Sequence, residues 1–271
     1  MSIIEAILLG LVQGLTEFLP VSSSGHLVLL QKIFGITEST LFFDIMLHAG
    51  TLLAVMTVLW HDIWAILKKI IQPLTLMLII ATIPAVIAAL AFGDAIEHAF
   101  ESGKFLGFCF LITSVILIIA EKLSRINTVN VLKNQENMNF IEAVIIGIMQ
   151  AIAIIPGISR SGATISGALF QKLERDFAAR FSFLLSIPVI LGALILQVKN
   201  LFKSVAAETA SVNIEVVAVI TGTATAAIVG FFAVKLMLKI VREKSLYGFA
   251  IYTAILGIFI LIDQFTVHLI F

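Results

Sequence analysis

EFLPVSSSGH, residues 17–26, breaks an apolar stretch of this chain with a carboxylate, three serines, a glycine and an imidazole. A second polar cluster, PGISRSGAT at residues 156–164, breaks an equally apolar stretch in the other half. Around these two clusters the 271-residue chain is 60% hydrophobic and only 13% charged. Soluble domains carry about 25% charged residues, so a soluble fold has no way to hide this much apolar surface. The composition reads as an all-α polytopic membrane protein. The 17 basic and 17 acidic residues cancel, which excludes nucleic acid as an electrostatic partner. Cys109 is the single cysteine, so no disulfide forms within the chain. The start MSIIEAILLGLVQG has no basic flank and contains Glu5, so no cleavable signal peptide is expected.

The two clusters are related. Shifting the chain by 137 residues lays EAILLGLVQGLTEFLPVSSSG (5–25) over EAVIIGIMQAIAIIPGISRSG (142–162), with seven identities in 21 positions. The identities include Glu5/Glu142, Gly10/Gly147, Gln13/Gln150, Ser22/Ser159, Ser24/Ser161 and Gly25/Gly162. LGF at 106–108 matches YGF at 247–249, and apolar runs 41–60, 73–92 and 105–120 match 181–198, 213–234 and 246–262. Shared polar positions argue for duplication over chance likeness of apolar segments. The reading is one membrane domain over 1–271, with repeat 1 at about 1–124, a polar cytoplasmic linker at about 125–138 and repeat 2 at about 139–271.

Each half thus holds one broken segment and three plain apolar runs. From Ala6 to Leu19 is 14 residues, about 21 Å of helix at ~1.5 Å per residue. That is short of a hydrocarbon core of about 30 Å, and Pro20 followed by SSSG disfavours continuing the helix. Charge decides between a re-entrant and a spanning segment. With re-entrant segments the halves are inverted. One face then collects Lys68, Lys69, Lys122, Arg125, Lys133, Lys172, Arg175, Arg180, Lys235, Lys239, Arg242 and Lys244, against Lys32, Lys104, Lys199 and Lys203 on the other, 12 against 4. With spanning segments the same 16 residues divide 9 against 7. The expectation is therefore an inverted-topology repeat, each half a re-entrant helix-loop-helix plus three transmembrane helices. Both termini and the loops 93–104 and 199–212 lie outside, and the two tips meet near mid-membrane.

At that depth Glu17 and Arg160 each cost about 2.5–3.5 kcal/mol on insertion scales, so they are expected to pair, to be wetted or to work. Gln13 and Glu17 are four apart and share a helix face. Ser22, Ser23, Ser24 and Gly25 supply hydroxyls, backbone N–H groups and room for close approach at the start of a helix. The second tip repeats this with Ser159, Arg160, Ser161, Gly162 and Thr164. Two helix N-termini and an arginine fork make an anion site suited to phosphate. Glu17 and His26 can move protons beside it, and the serines can act as nucleophiles. Gln13 and Glu17 can also hold a divalent cation against phosphate oxygens. The residues point to a phosphate-bearing amphiphile processed inside the bilayer. The competing readings are a capping carboxylate for Glu17, a hydrogen-bonded buried ring for His26 and N-caps for the serines; the convergence carries more than any member.

Asp44 and His48, four apart near the outer end of the 41–60 run, can line the same pocket or sit at the interface. Trp60, His61, Asp62 and Trp64 read as an interfacial belt. Pro84 and Pro188 are expected to kink their helices.

QGLTEFLPVSSSGH and PGISRSGATISG resemble the two signature motifs of the bacterial undecaprenyl-diphosphate phosphatases of the bacitracin-resistance type, and the resemblance covers essentially the whole chain, including FSFLLSIPVILGA at 181–193. It implies hydrolysis of undecaprenyl diphosphate to the monophosphate and phosphate, recycling a cell-wall carrier lipid. It implies Mg²⁺ or Ca²⁺ assistance, a polyprenyl diphosphate lipid as substrate and a multi-pass protein of the bacterial plasma (inner) membrane with its site facing the outer, periplasmic side. Membrane lipids surround it, and a second copy of the chain is a further candidate partner. The family's functional positions fall on Glu17, Ser23, His26, Ser159, Arg160 and Thr164. The family often has glutamate where this chain has Gln13, which keeps an oxygen ligand but loses a charge. The rival expectation is a transporter that flips undecaprenyl phosphate through the same anion site.

Overall fold

The computed structural model describes residues 1–36, 41–127, 132–206 and 216–271. It is all-helical among these residues apart from an isolated bridge between Lys133 and Leu173. In the first half α1 is Ile3–Thr16, α2 Ser23–Ile33, α3 Leu41–Val58, α4 Trp60–Lys68, α5 Pro73–Ser102 and α6 Leu106–Asn127. In the second half α7 is Phe140–Ile152, α8 Arg160–Phe170, α9 Arg175–Ala206, α10 Val216–Glu243 and α11 Tyr247–Ile262, followed by a π-helical turn, Asp263–Val267.

Among the described residues five helices, in α5, α6, α9, α10 and α11, are long and apolar enough to cross a membrane. The pair α3–α4, bent by 76°, adds a sixth if counted as one span. Many large apolar side chains on these helices, among them Ile79, Leu90, Ile220 and Ile255, are exposed. Water would penalise such a surface and lipid does not. The fold is a multi-pass membrane protein.

The short helices α1 and α7 begin alike. Ser2 and Asn139 cap them, and Glu5 and Glu142 reach back to the cap N–H, which completes a capping box at each. The helices that follow also begin alike. Ser22 accepts from the N–H of Gly25, Ser159 from the N–H of Gly162, and Ser22–Ser24 and Ser159–Ser161 hydroxyls each lie 3.3 Å apart. Each short helix packs on a long helix of the other half, α1 on α10 and α7 on α5. Gly10 lies against the carbonyl of Gly222, and a Cβ on Gly147 would come within 2.6 Å of the carbonyl of Ala81. These contacts correspond: Gly147 is Gly10 shifted by 137, and Gly222 is Ala81 shifted by the 141 that also carries LGF onto YGF.

Several expectations need adjusting. The apolar run 41–60 does not end as one straight helix. It turns at Leu59 into α4, where Trp60 and Trp64 stack at 5.7 Å, both about half exposed. The loop expected at 93–104 is helical through Ser102 after a non-helical step at Phe92, and α9 runs on to Ala206. Apolar length marks where a membrane ends, but backbone hydrogen bonding can continue through good helix formers such as the alanines and glutamates of DAIEHAFES. Both α5 and α9 run through their prolines, Pro84 and Pro188. Part of the linker (128–131) and the end of the 199–212 loop lie outside the described residues.

Candidate functional site

The turn after α1 carries Phe18, Leu19, Pro20 and Val21, and its apolar members anchor it. Phe18 is fully buried and meets Phe183 of α9 edge-on at 5.4 Å. The turn after α7 is held by Thr113 of α6, which donates to the carbonyl of Gly157 (3.2 Å) and accepts from the N–H of Ser159 (3.1 Å). The tips touch each other. Ser161 donates to the carbonyl of Leu19 at 2.9 Å, and a Cβ on Gly25 would meet both the Phe110 ring and Gly157. Here glycine at 25 allows two backbones to approach.

Glu17 stands between the tips with its side chain 6% exposed. Its Oε1 accepts from Nη2 of Arg160 at 2.6 Å. Its Oε2 accepts from the Ser23 hydroxyl at 2.6 Å and from Nε2 of Gln13 at 3.0 Å, and Nε2 of His48 lies 3.8 Å away. Ser23 and Arg160 correspond under the 137-residue shift, and they bring a hydroxyl and a guanidinium to the two oxygens of one carboxylate. Glu17 has no counterpart, because position 154 is isoleucine.

Two buried polar atoms here have no hydrogen-bond partner: Nη1 of Arg160 and Oε1 of Gln13. Leaving such groups unsatisfied costs about 1–3 kcal/mol each, more when charged. The first is a donor on a cationic guanidinium. The second is an oxygen donor one turn before Glu17. One carboxylate and one amide oxygen suit a hard cation that completes its shell with phosphate oxygens; among the described residues no group of three or more His, Cys, Asp or Glu could hold a metal without such help.

The remaining sequence candidates divide. Ser22 and Ser159 spend their side chains as N-caps. Thr164 donates to the carbonyls of Arg160 and Ser161 and shares a 2.6 Å hydrogen bond with Ser182, so its hydroxyl fastens α8 to α9. Ser24 is partly exposed, and its hydroxyl lies 3.3 Å from that of Ser22. Gly162 packs against Ser159 and Pro20. His26 is buried behind the turn, hydrogen-bonded to the Ser22 carbonyl at 2.6 Å and to the hydroxyl of Tyr252 at 2.7 Å. Asp44 accepts from Gln31 at 2.9 Å, whereas His48 does reach the site. Tyr252, Thr113 and Ser182 were not singled out from sequence. Thr113 and Ser182 are polar residues in apolar spans, which is a faint signal, and Tyr252 is one of several aromatic residues in its helix.

The protein is thus a polytopic helical membrane protein in which two helical hairpins meet at a buried Glu–Arg pair with a serine hydroxyl on the carboxylate. The chain belongs to the bacitracin resistance protein BacA family, whose model matches residues 6–259. It is 47% identical to the undecaprenyl-diphosphatase of Carboxydothermus hydrogenoformans over 264 residues, which covers 97% of this chain and 98% of that one. It is 43% identical to the undecaprenyl-diphosphatase of Halothermothrix orenii over the same coverage. It is 37% identical to the protein of that name from Methanosphaera stadtmanae, over 97% of this chain and 98% of the other.

Proposed function

We propose that this protein hydrolyses undecaprenyl diphosphate to undecaprenyl phosphate and inorganic phosphate at the Glu17–Arg160 site, recycling the carrier lipid for cell-wall synthesis and so opposing bacitracin. The names of its relatives support the substrate. The observation that carries the chemistry is the 2.6 Å hydrogen bond from Ser23 to Glu17 beside an Arg160 whose Nη1 has no partner.

Arg160 takes the terminal phosphoryl group through Nη1 while Nη2 stays on Glu17. The α2 and α8 N-termini add partial positive charge. Glu17 takes the proton from the attacking oxygen, which is that of Ser23 or of a water in its place. The bridging P–O bond breaks and undecaprenyl phosphate leaves with the electron pair. Attack by water gives inorganic phosphate directly; attack by Ser23 gives phosphoserine, whose P–O bond a water then cleaves, so that phosphate departs and the Ser23 oxygen regains a proton. Transfer of this kind rests on positioning and charge stabilisation. A divalent cation, Mg²⁺ or Ca²⁺, would be held by Gln13 Oε1 and Glu17 and would supply further charge neutralisation of the diphosphate.

The finer topology belongs to the same proposal: an inverted repeat with α1–α2 and α7–α8 as re-entrant hairpins, both termini outside, the site open to the outer face and repeat boundaries as read from sequence. Contacts among the basic loops support it. Arg175 reaches the carbonyl of Lys244 at 2.8 Å, and Lys133 pairs with the backbone of Lys172. On the opposite side Lys32 lies 5.0 Å over the Phe271 ring and Gln264 donates to Gly103. Transport of the monophosphate engages no residue that hydrolysis does not also use.

Phosphate release by purified protein in detergent, with Mg²⁺ and with chelator, tests the reading. Metal-dependent release supports it; absence of release from folded protein under both conditions overturns it.

A further inference from the structure

Resting on the phosphatase reading, we infer that Tyr252 is a positioning residue for the first tip: through His26 it holds Ser22 in its unusual backbone conformation and so aims Ser23 at Glu17, with His26 a brace and not a proton carrier. Four observations converge. The Nδ1 of His26 lies 2.6 Å from the Ser22 carbonyl, and a carbonyl only accepts, so Nδ1 carries a proton. In the neutral ring Nε2 then holds the lone pair, and it accepts a hydrogen bond from the Tyr252 hydroxyl at 2.7 Å. Both ring nitrogens are thereby used, and neither has a hydrogen bond to Glu17 or Ser23. The Tyr252 ring lies beside it, nearly parallel at 6° with centroids 5.6 Å apart, and the Phe110 ring stands perpendicular to it at 5.3 Å.

What the His26 ring holds is Ser22, whose φ of +70° is a conformation that L-residues with side chains rarely adopt. Its carbonyl takes the His26 side chain at 2.6 Å and the His26 backbone N–H at 3.3 Å. The next residue is Ser23, whose hydroxyl meets Glu17. Comparison of the tips isolates the device. The counterpart of His26 is Ala163, and the counterpart of Ser22, Ser159, has an ordinary φ of −70°. The brace and the strained turn occur together, only in the tip that carries the serine on the carboxylate. Tyr252 comes from α11 in the other half of the chain, 226 positions away, so the last long helix sets the geometry of the first tip.

Asparagine places an N–H donor near the position of Nδ1 but carries no titratable proton, which makes His26→Asn the discriminating variant. The expected result is that His26→Asn retains activity within about tenfold of wild type while His26→Ala loses much more. Tyr252→Phe should lower kcat by about 3–10-fold, the worth of one hydrogen bond, with KM little changed. The pH–rate profile should keep its shape in His26→Asn and Tyr252→Phe. A His26→Asn as inactive as His26→Ala, or one that lacks a limb of the profile, makes His26 a proton carrier and overturns the inference. Tyr252→Phe with wild-type kcat overturns the part given to Tyr252. A readout without substrate separates this from the phosphatase reading. In protein with ¹⁵N-labelled histidine, the His26 resonances, assigned through their loss in His26→Asn, should show a neutral Nδ1–H ring that Tyr252→Phe perturbs. An Nε2–H ring in wild type contradicts the brace whatever the substrate proves to be.

Discussion

Nη2 of Arg160 lies 2.6 Å from Oε1 of Glu17, joining two tips whose residues are 143 apart in the chain. The pair is both a structural lock and the charge centre of the site. Removing one partner of a buried ion pair leaves an uncompensated charge, which costs about 3–5 kcal/mol. Losing a phosphoryl-binding cation costs about 10²–10³ in rate. Arg160→Ala should therefore lower both melting temperature and kcat. Arg160→Lys should restore stability more than activity, because an ammonium cannot offer a fork to carboxylate and phosphate together. Thermal unfolding and turnover measured on the same preparations check both.

The crossed packing of the two halves makes a different prediction. Gly10 and Gly147 lie against backbone carbonyls of α10 and α5, whereas a Cβ on Gly248 meets nothing within 4 Å. Gly10→Ala and Gly147→Ala should each destabilise by about 1–3 kcal/mol through overpacking. Gly248→Ala should be neutral or slightly stabilising. Melting in detergent distinguishes them.

At the other end of the bundle, buried Glu121 accepts from Arg125 at 2.9 Å, from both terminal nitrogens of Arg175 at 3.1 Å and from the N–H of Leu246 at 3.0 Å. It ties α6, α9 and the start of α11 together. Glu121→Gln leaves the Arg175 guanidinium short of its counter-charge, so stability should fall by about 3–5 kcal/mol. Turnover per folded molecule should change little, since none of these residues contacts Glu17 or Arg160. A fall in kcat at a temperature where the variant is fully folded contradicts this.

Much of this architecture is legible in the sequence because membrane helices advertise themselves. Apolar run length and the shortage of charge mark the spans, and shared Glu, Gln, Ser and Gly positions mark the repeated hairpins. The pairing of Gln13 with Glu17 follows from helical spacing alone. The meeting of Glu17 with Arg160 required the further idea that the tips face each other. Other features were not legible. The bend at Leu59 has no proline or glycine to announce it. The hydrogen bond of Thr164 to Ser182 joins two helices whose spacing in the chain gives no sign of it. Tyr252 is one aromatic residue in an apolar helix, and only tertiary structure sets it against His26.

Orientation is open to a direct test. Lys104 and Glu136 are exposed, on opposite faces of the proposed topology, and Cys109, the single cysteine, is buried. In a Cys109→Ala background, Lys104→Cys should react with an impermeant thiol reagent on intact spheroplasts. Glu136→Cys should react only after lysis. The reverse pattern contradicts outward-facing termini.

The most direct test compares wild type with Glu17→Gln in release of phosphate from undecaprenyl diphosphate. Glutamine keeps the size and the hydrogen-bonding reach but cannot take the Ser23 proton or balance Arg160. The account predicts steady release by wild type and a loss of at least about 10²-fold in kcat for the variant, with folding verified by its elution and melting. Equal rates from the two proteins would remove Glu17 from the chemistry and contradict the central claim.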